Sequence, residues 1–372
     1  MWTKLVPVTA LIAAASLTSG TAYAAPTTPV GGEALGSRGL VAPAGVKKPP
    51  KSKATSYVIA DAETGQVLAA KDAHGRYLPA STLKALTALT LIPKLDKERK
   101  IRPSRNACNQ EGSAVGLSVK ATYKVDDLFK GLLMSSGNDA AMALAETNGG
   151  LDKTMSDMNA EAKRLQAFDT VAKTPSGLDK PGQSSSAYDL ALIARAGLAN
   201  PDFKRYISTK TTKFPAPKGH YEISNHNKLL WRYNGMVGVK NGWTSKARAS
   251  FVGAATRGGH TIVVSIMRHE GFFWDEVASL LDWGFSVRGK AAPVGQLVNP
   301  LPVAAQQPAA SAAPSPGTSV TPAAQPPLLD SAADRQTDST RTVGSLVIGG
   351  GLLFGLIWLG YGIYRRRARS RL

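Results

Sequence analysis

Cysteine is almost absent, since Cys108 stands alone among 372 residues. A single thiol excludes an internal disulfide framework, a cysteine-rich zinc module and a cysteine-ligated cluster. Histidine is scarce too, five in all. His74, His220, His226 and His260 show no metal-ligand spacing, and His269-Glu270 has Phe273 where a zinc peptidase motif needs a second histidine. Acid is in short supply: 26 Asp and Glu against 45 Lys and Arg leave a formal charge of +19. An imbalance of that size suits a polyanionic neighbour, whether nucleic acid, phospholipid or an anionic cell wall. Long hydrophobic runs are missing from the interior and occur only at the two ends, which decide among those partners.

At the N-terminus, Lys4 precedes an apolar stretch from Leu5 to Leu17 and the small-residue sequence Ala22-Tyr23-Ala24. That pattern predicts a secretory signal peptide over residues 1–24, and a retained membrane helix is the alternative. At the other end, Val343 to Tyr364 is free of charge over 22 residues and is followed by Arg365, Arg366, Arg367, Arg369 and Arg371. This predicts one C-terminal transmembrane helix over 343–364 with a basic cytoplasmic tail at 365–372. The bulk of the chain is then extracytoplasmic and held at the cell membrane, and nucleic acid drops out as a partner.

Composition divides the remainder. Residues 25–55 are rich in Gly, Pro, Ala and Lys and read as a flexible leader. Residues 291–342 carry Pro300, Pro302, Pro308, Pro314, Pro316, Pro322, Pro326 and Pro327 and read as a disordered linker. A domain over 56–290 lies between. Its ends look like strands: Ser56 to Ala60 and Gln66 to Ala70 around a Gly65 turn, then Ala249 to Ala255 and Thr261 to Met267 around Gly258-Gly259. Helical periodicity fills Leu83 to Leu91, Val125 to Met134, Ala140 to Ala145, Leu151 to Phe168 and Ala187 to Leu198, and a last helix covers Trp274 to Leu281. The expectation is an α/β (α+β) domain, in which the N- and C-terminal strands pair in an antiparallel sheet and a helical region is inserted between them.

Three short motifs carry chemistry. In Ser81-Thr82-Leu83-Lys84 a hydroxyl and an amine share one helical face. A serine becomes nucleophilic when a base takes its proton, and a lysine is that base only where burial or positive neighbours keep it neutral. The same residues also read as an N-cap serine followed by a solvated lysine, but no other S-x-x-K exists in the chain. In Ser135-Ser136-Gly137-Asn138-Asp139, a turn between two apolar helices aims a hydroxyl and a carboxamide into a cleft, although an ordinary capping turn has this composition and Ser104-Arg105-Asn106 repeats the spacing. In Lys240-Asn241-Gly242-Trp243, a strand-edge lysine offers a fixed cation for a carboxylate and the glycine lets a substrate lie close to the backbone, while Asn-Gly as a plain hairpin turn is the alternative.

The ordered set S-x-x-K, S-x-N and K-x-G resembles the penicillin-binding protein and serine β-lactamase superfamily. The stretches Met134 to Ala141, Thr174-Pro175-Ser176-Gly177-Leu178-Asp179, Ser186 to Ala191 and Asn227-Lys228-Leu229-Leu230-Trp231 look like the low-molecular-weight D-alanyl-D-alanine carboxypeptidases, with similarity running from about Ser56 to Val287. The resemblance implies a transpeptidase fold, an antiparallel sheet against a helical subdomain with the site between. It implies an acyl-enzyme on Ser81, Lys84 as general base, and Ser136 and Asn138 in proton transfer and orientation. Lys240 would hold the terminal carboxylate of a peptidoglycan stem peptide, and the amides of Ser81 and Trp243 would form the oxyanion hole. D-alanine would leave to water, β-lactams would act as covalent inhibitors, and neither metal nor cofactor is implied.

Two departures stand out. Asn241 replaces the threonine of the usual K-T-G, so a carboxamide stands where a hydroxyl helps bind the carboxylate, and altered substrate and β-lactam affinity is expected. The arginine that relatives place after the last hairpin has Arg268 as its nearest candidate, and the second, all-β domain of some relatives has no counterpart. A β-lactamase of the same fold needs a Glu-x-x-Leu-Asn segment for deacylation, and none lies between Asn148 and Asn200. A catalytically silent wall-binding scaffold is the remaining alternative, supported by Asn241 alone.

Overall fold

The computed structural model describes residues 28–302. The signal peptide, most of the linker, the 343–364 run and the basic tail fall outside them. Among the described residues no helix is long and apolar enough to cross a membrane.

The chain opens with β1 (Leu40–Val41), β2 (Ser56–Asp61) and β3 (Gln66–Lys71), then enters helices through α1 (Lys84–Leu91). A short ladder of β4 (Lys100–Ile101) and β5 (Tyr123–Lys124) encloses α2 (Arg105–Cys108). Next come α3 (Val125–Leu133), α4 (Asn138–Thr147), α5 (Leu151–Arg164), α6 (Ala187–Leu198) and α7 (Pro201–Ser208). A hairpin of β6 (Thr211–Pro215) and β7 (His220–Ser224) and the turn α8 (Leu229–Arg232) lead back to β8 (Met236–Thr244), β9 (Arg248–Arg257) and β10 (His260–His269). The chain then forms α9 (Trp274–Val287) and β11 (Gly295–Gln296).

The main sheet is antiparallel in the order β1-β3-β2-β10-β9-β8, with β11 also on β3. The expected pairing of terminal strands is present, Ile262 to Met267 running against Asp61 to Ser56. Alternation along β2 explains why a sheet, once formed, attracts helices to both faces. Val58 and Ala60 enter the core shared with α1, α3 and α6, whereas Tyr57 and Ile59 enter the core capped by Trp274, Val277, Leu280 and Leu281 of α9. All eight residues of α1 are buried, as expected of a helix apolar on every side. Its threonines are satisfied: Thr90 donates to the Leu86 carbonyl one turn back at 2.8 Å, and Thr87 donates across the fold to the Pro175 carbonyl at 2.8 Å.

Both flexible boundaries need correction. The leader is built into the domain from residue 28 onward: β1 pairs with β3, Leu35 is buried, and the Trp283 indole donates to the Lys47 carbonyl at 2.7 Å. The linker likewise begins later than residue 291, because β11 pairs with β3, Leu297 is fully buried and its amide donates to the Gly65 carbonyl. In both segments low periodicity hid a few backbone ladder bonds and one anchoring leucine. The sequence also gave no sign of α7 or the β6–β7 hairpin, whose strands are mostly polar on the exposed side.

Candidate active site

Ser81 lies in a 3₁₀ turn, Ala80–Leu83, that runs directly into α1 at Lys84. In a 3₁₀ turn residues i and i+3 eclipse, which sets the Lys84 side chain directly beneath the serine. Lys84 Nζ is 2.9 Å from Ser81 Oγ, 2.6 Å from Asn138 Oδ1 and 2.7 Å from the Ser176 carbonyl. The amine is fully buried. Burial, then the charge of Lys240, hold its pKa well below the ordinary lysine range, against a smaller opposing pull from Asp139. A neutral amine keeps a lone pair for the serine proton and two N–H bonds for the two carbonyl oxygens.

Lys240 is also buried, on the edge strand β8, and its Nζ donates to the neighbouring Asn241 carbonyl at 2.7 Å. Desolvation lowers its pKa to about 7. The Gly242 position explains the third motif differently from the expectation that the glycine makes room for substrate. A Cβ there would stand 2.5 Å from Ser81 N and 3.0 Å from both Ala80 Cβ and Thr82 N. The missing side chain makes room for the enzyme's own serine turn.

The S-x-N turn is held from two sides. Asn138 N donates to the Ser113 carbonyl at 2.7 Å and its Nδ2 to the Glu111 carbonyl. The buried Asp139 carboxylate accepts from the amides of Val115, Gly116, Leu117 and Ala140 at 2.8–2.9 Å, tying the 111–117 loop over the cleft. Ser136 is buried with φ of +61°, and Ala80, just before Ser81, has φ of +48°. Such left-handed non-glycine residues cost on the order of 1–3 kcal/mol each and persist where packing over-determines them.

The structure thus joins Ser81, Lys84 and Asn138 by direct hydrogen bonds and brings Lys240 close enough to perturb Lys84. Ser136 makes no hydrogen bond to these groups among the described residues. Strand alternation turns Asn241 and Trp243 to the face opposite Gly242; Asn241 is half-buried and Trp243 is 67% exposed. Arg268 is exposed, in a left-handed conformation, with its carbonyl bound to Thr55. Sequence reasoning missed the Ser176 carbonyl, a backbone group with no residue-type signature, and Asp179, which accepts from Thr244 Oγ1 at 3.0 Å. It also missed His226, whose imidazole is held below its usual range by desolvation and then by the charges of Lys240 and Lys84.

Comparison with known proteins agrees with this geometry. Residues 44–271 match the family model described as D-alanyl-D-alanine carboxypeptidase. The chain is 42% identical over 264 residues to D-alanyl-D-alanine carboxypeptidase DacB2 of Mycobacterium tuberculosis, covering 69% of this chain and 90% of that one. It is 33% identical to DacF of Bacillus subtilis, covering 55% of each. Among solved structures, an evolved putative penicillin-binding protein homolog from M. tuberculosis superposes with TM-score 0.66 at 41% identity, over 70% of this chain and all of that one. The Streptomyces K15 DD-transpeptidase superposes with TM-score 0.62 at 26% identity, over 64% of this chain and all of that one. Sequence motifs, sheet-and-helix architecture and family match converge, and the chain belongs to the D-alanyl-D-alanine carboxypeptidase family of serine-type peptidases.

Proposed function

We propose that the protein removes the terminal D-alanine from peptidoglycan stem peptides through an acyl-enzyme on Ser81. The observation that carries this is the buried Lys84 amine 2.9 Å from the Ser81 hydroxyl. Neutral Lys84 takes the serine proton as Oγ attacks the penultimate carbonyl. The amides of Ser81 and Trp243, brought near one another by the contact of Gly242 with the Ser81 turn, receive the oxyanion. Ser136 gives its hydroxyl proton to the departing D-alanine amine as the C–N bond breaks and is reprotonated from Lys84, which becomes neutral again, and Asn138 orients both Lys84 and the substrate amide. Water then attacks the ester and gives a proton to Lys84, which returns it to Ser81 Oγ as the ester C–O bond breaks and the shortened peptide leaves, so that Ser81 and neutral Lys84 are both restored. Lys240 pairs with the terminal carboxylate while Asn241 stands in the place of the usual hydroxyl. A β-lactam follows the same first step, and its ester persists, a reading supported by the lack of a Glu-x-x-Leu-Asn segment between Asn148 and Asn200.

We propose that the folded unit includes the segments anchored by the buried Leu35 and Leu297, followed by the Pro/Ala-rich stretch and a membrane anchor at 343–364. The anchor rests on 22 uncharged residues followed by five arginines. With the signal peptide, this puts the catalytic domain outside the membrane, where its substrate lies.

The test is mass spectrometry of the enzyme with a pentapeptide ending in D-Ala-D-Ala and, separately, with benzylpenicillin. One alanine should be released, and the penicilloyl adduct should map to residue 81. An adduct elsewhere, or none, sinks the reading. The Lys240 ammonium should also leave a signature. With a pKa of about 7, its charge is present below that value and lost above it. KM for a carboxylate-ended peptide should therefore climb as pH passes from 6 to 8, and Lys240→Gln should show high KM without that slope. A flat wild-type KM across this window would remove Lys240 from carboxylate binding.

A further inference from the structure

Outside the cleft, His74, Asp169 and Asp189 bring their titratable atoms within 4.8 Å of one another. The cluster sits at a mechanical junction. His74 begins the segment that reaches Ser81, and Asp169 and Asp189 bracket the 169–186 loop. The tip of that loop presents the Ser176 carbonyl to Lys84 at 2.7 Å and lays Gly177 against Ala80. Its foot is braced by mutual backbone bonds between Tyr77 and Ser185 and between Val171 and Ser184.

His74 Nδ1 lies 2.7 Å from Asp169 Oδ2, and Nε2 lies 3.0 Å from the Val30 carbonyl. Both partners only accept, so both ring nitrogens must donate, and an imidazole does so only as the cation. Facing it are the Asp169 and Asp189 carboxylates, the Tyr188 ring at 4.6 Å, and Arg76, whose Nε donates to Asp169 Oδ1 at 3.1 Å. Asp72 and Arg38 line the same depression. Asp189 is 1% exposed; one oxygen accepts from Thr170 at 2.7 Å, and Oδ1 has no hydrogen-bond partner among the described residues. A buried, half-satisfied carboxylate, once ionised, favours a cation next to it.

We propose that His74 is a positioning residue: as a cation paired with Asp169 beside Asp189, it clamps the foot of the 169–186 loop and so holds the Ser176 carbonyl against the Lys84 amine. The inference rests on the reading of Lys84 as the base. Burial by itself would lower the His74 pKa, but Asp169 outweighs it and holds the group above the ordinary imidazole range. The clamp is therefore complete at pH below the free-imidazole value of about 6.5 and is lost as pH rises through the raised value. Ionisation of Asp189, which burial and Asp169 shift to about 7, adds negative charge that prolongs the cation.

The experiment compares wild type, His74→Gln and His74→Arg in steady-state kinetics with the pentapeptide and in hydrogen exchange. His74→Gln should lower kcat about tenfold at pH 7, a loss typical of small misplacements in a reacting pair, with KM within about twofold. It should lose the alkaline decline in kcat and raise exchange across 169–186, whereas His74→Arg, charged at every pH used, should recover kcat. The split separates this clamp from Lys240, whose titration moves KM. Wild-type kcat and pH profile in His74→Gln overturn the proposal. So does an NMR titration placing wild-type His74 at or below 6.5, a measurement that stands even if the variant fails to fold. If wild type itself forms no Ser81 adduct, the reading of the catalytic site fails; if it does and the kinetics are unmoved, only the clamp fails.

Discussion

Benzylpenicillin should form no adduct with Ser81→Ala and should acylate Lys84→Met on the order of 10³-fold more slowly than wild type, within the range for loss of a general base. The reason is local and electrostatic. Lys84 Nζ is the hydrogen-bonded neighbour of Ser81 Oγ, and desolvation with the charge of Lys240 lowers its proton affinity. Methionine fills nearly the same volume, so α1 keeps its packing. What it leaves behind are the Asn138 and Ser176 oxygens without their shared donor, a cost of about 1–3 kcal/mol per buried group. Because the two side chains act as one device, Ser81→Ala/Lys84→Met should be no worse than Ser81→Ala alone. Stopped-flow acylation and intact mass measure both outcomes. A Lys84→Met rate within tenfold of wild type would show that another group takes the serine proton.

Gly177→Ala carries the largest expected loss of stability. Gly177 has φ of +80°, and a Cβ there would lie 2.0 Å from the Ala80 carbonyl oxygen and 2.7 Å from its carbon. The left-handed conformation costs alanine about 1–2 kcal/mol, and the obstruction is backbone, which cannot rotate away. A total of about 3 kcal/mol places the variant among the severe single substitutions and lowers Tm by roughly 6–12 °C for a domain of this size. Activity should fall as well, since relief of the clash pushes the 169–186 loop away from the serine turn and takes the Ser176 carbonyl from Lys84. Differential scanning calorimetry with acylation kinetics checks the two effects together. A Tm within about 2 °C of wild type would mean that the contact between Gly177 and Ala80 yields easily.

How far the sequence reached is clearest at particular residues. The S-x-x-K, S-x-N and K-x-G spacings picked out Ser81, Lys84, Asn138 and Lys240, and the structure unites them. Chemistry of this kind is legible because it needs rare residue types at fixed local spacing. Trp243 was picked from the same pattern for its backbone amide and Asn241 for its carboxamide, and strand pairing sets Asn241 opposite Phe251 and Trp243 opposite Ala249. Gly242 was read as room for a ligand and proved to be room for Ala80 and Ser81.

The sequence by itself determined the strands at both ends of the domain, the helices between them and the reactive side chains, because periodicity and motif spacing are properties of neighbours along the chain. Only the tertiary structure decided that the segments carrying β1 and β11 pair with β3, that a carbonyl at Ser176 completes the lysine's surroundings, and that His74 meets Asp169 and Asp189. Each of those depends on contacts between residues far apart in the chain. Such contacts use backbone groups, single anchoring side chains and charges whose meaning comes from burial. Proton affinity in particular is set by what surrounds a group in three dimensions, so the chain could name the lysine but only the fold lowers its hold on a proton.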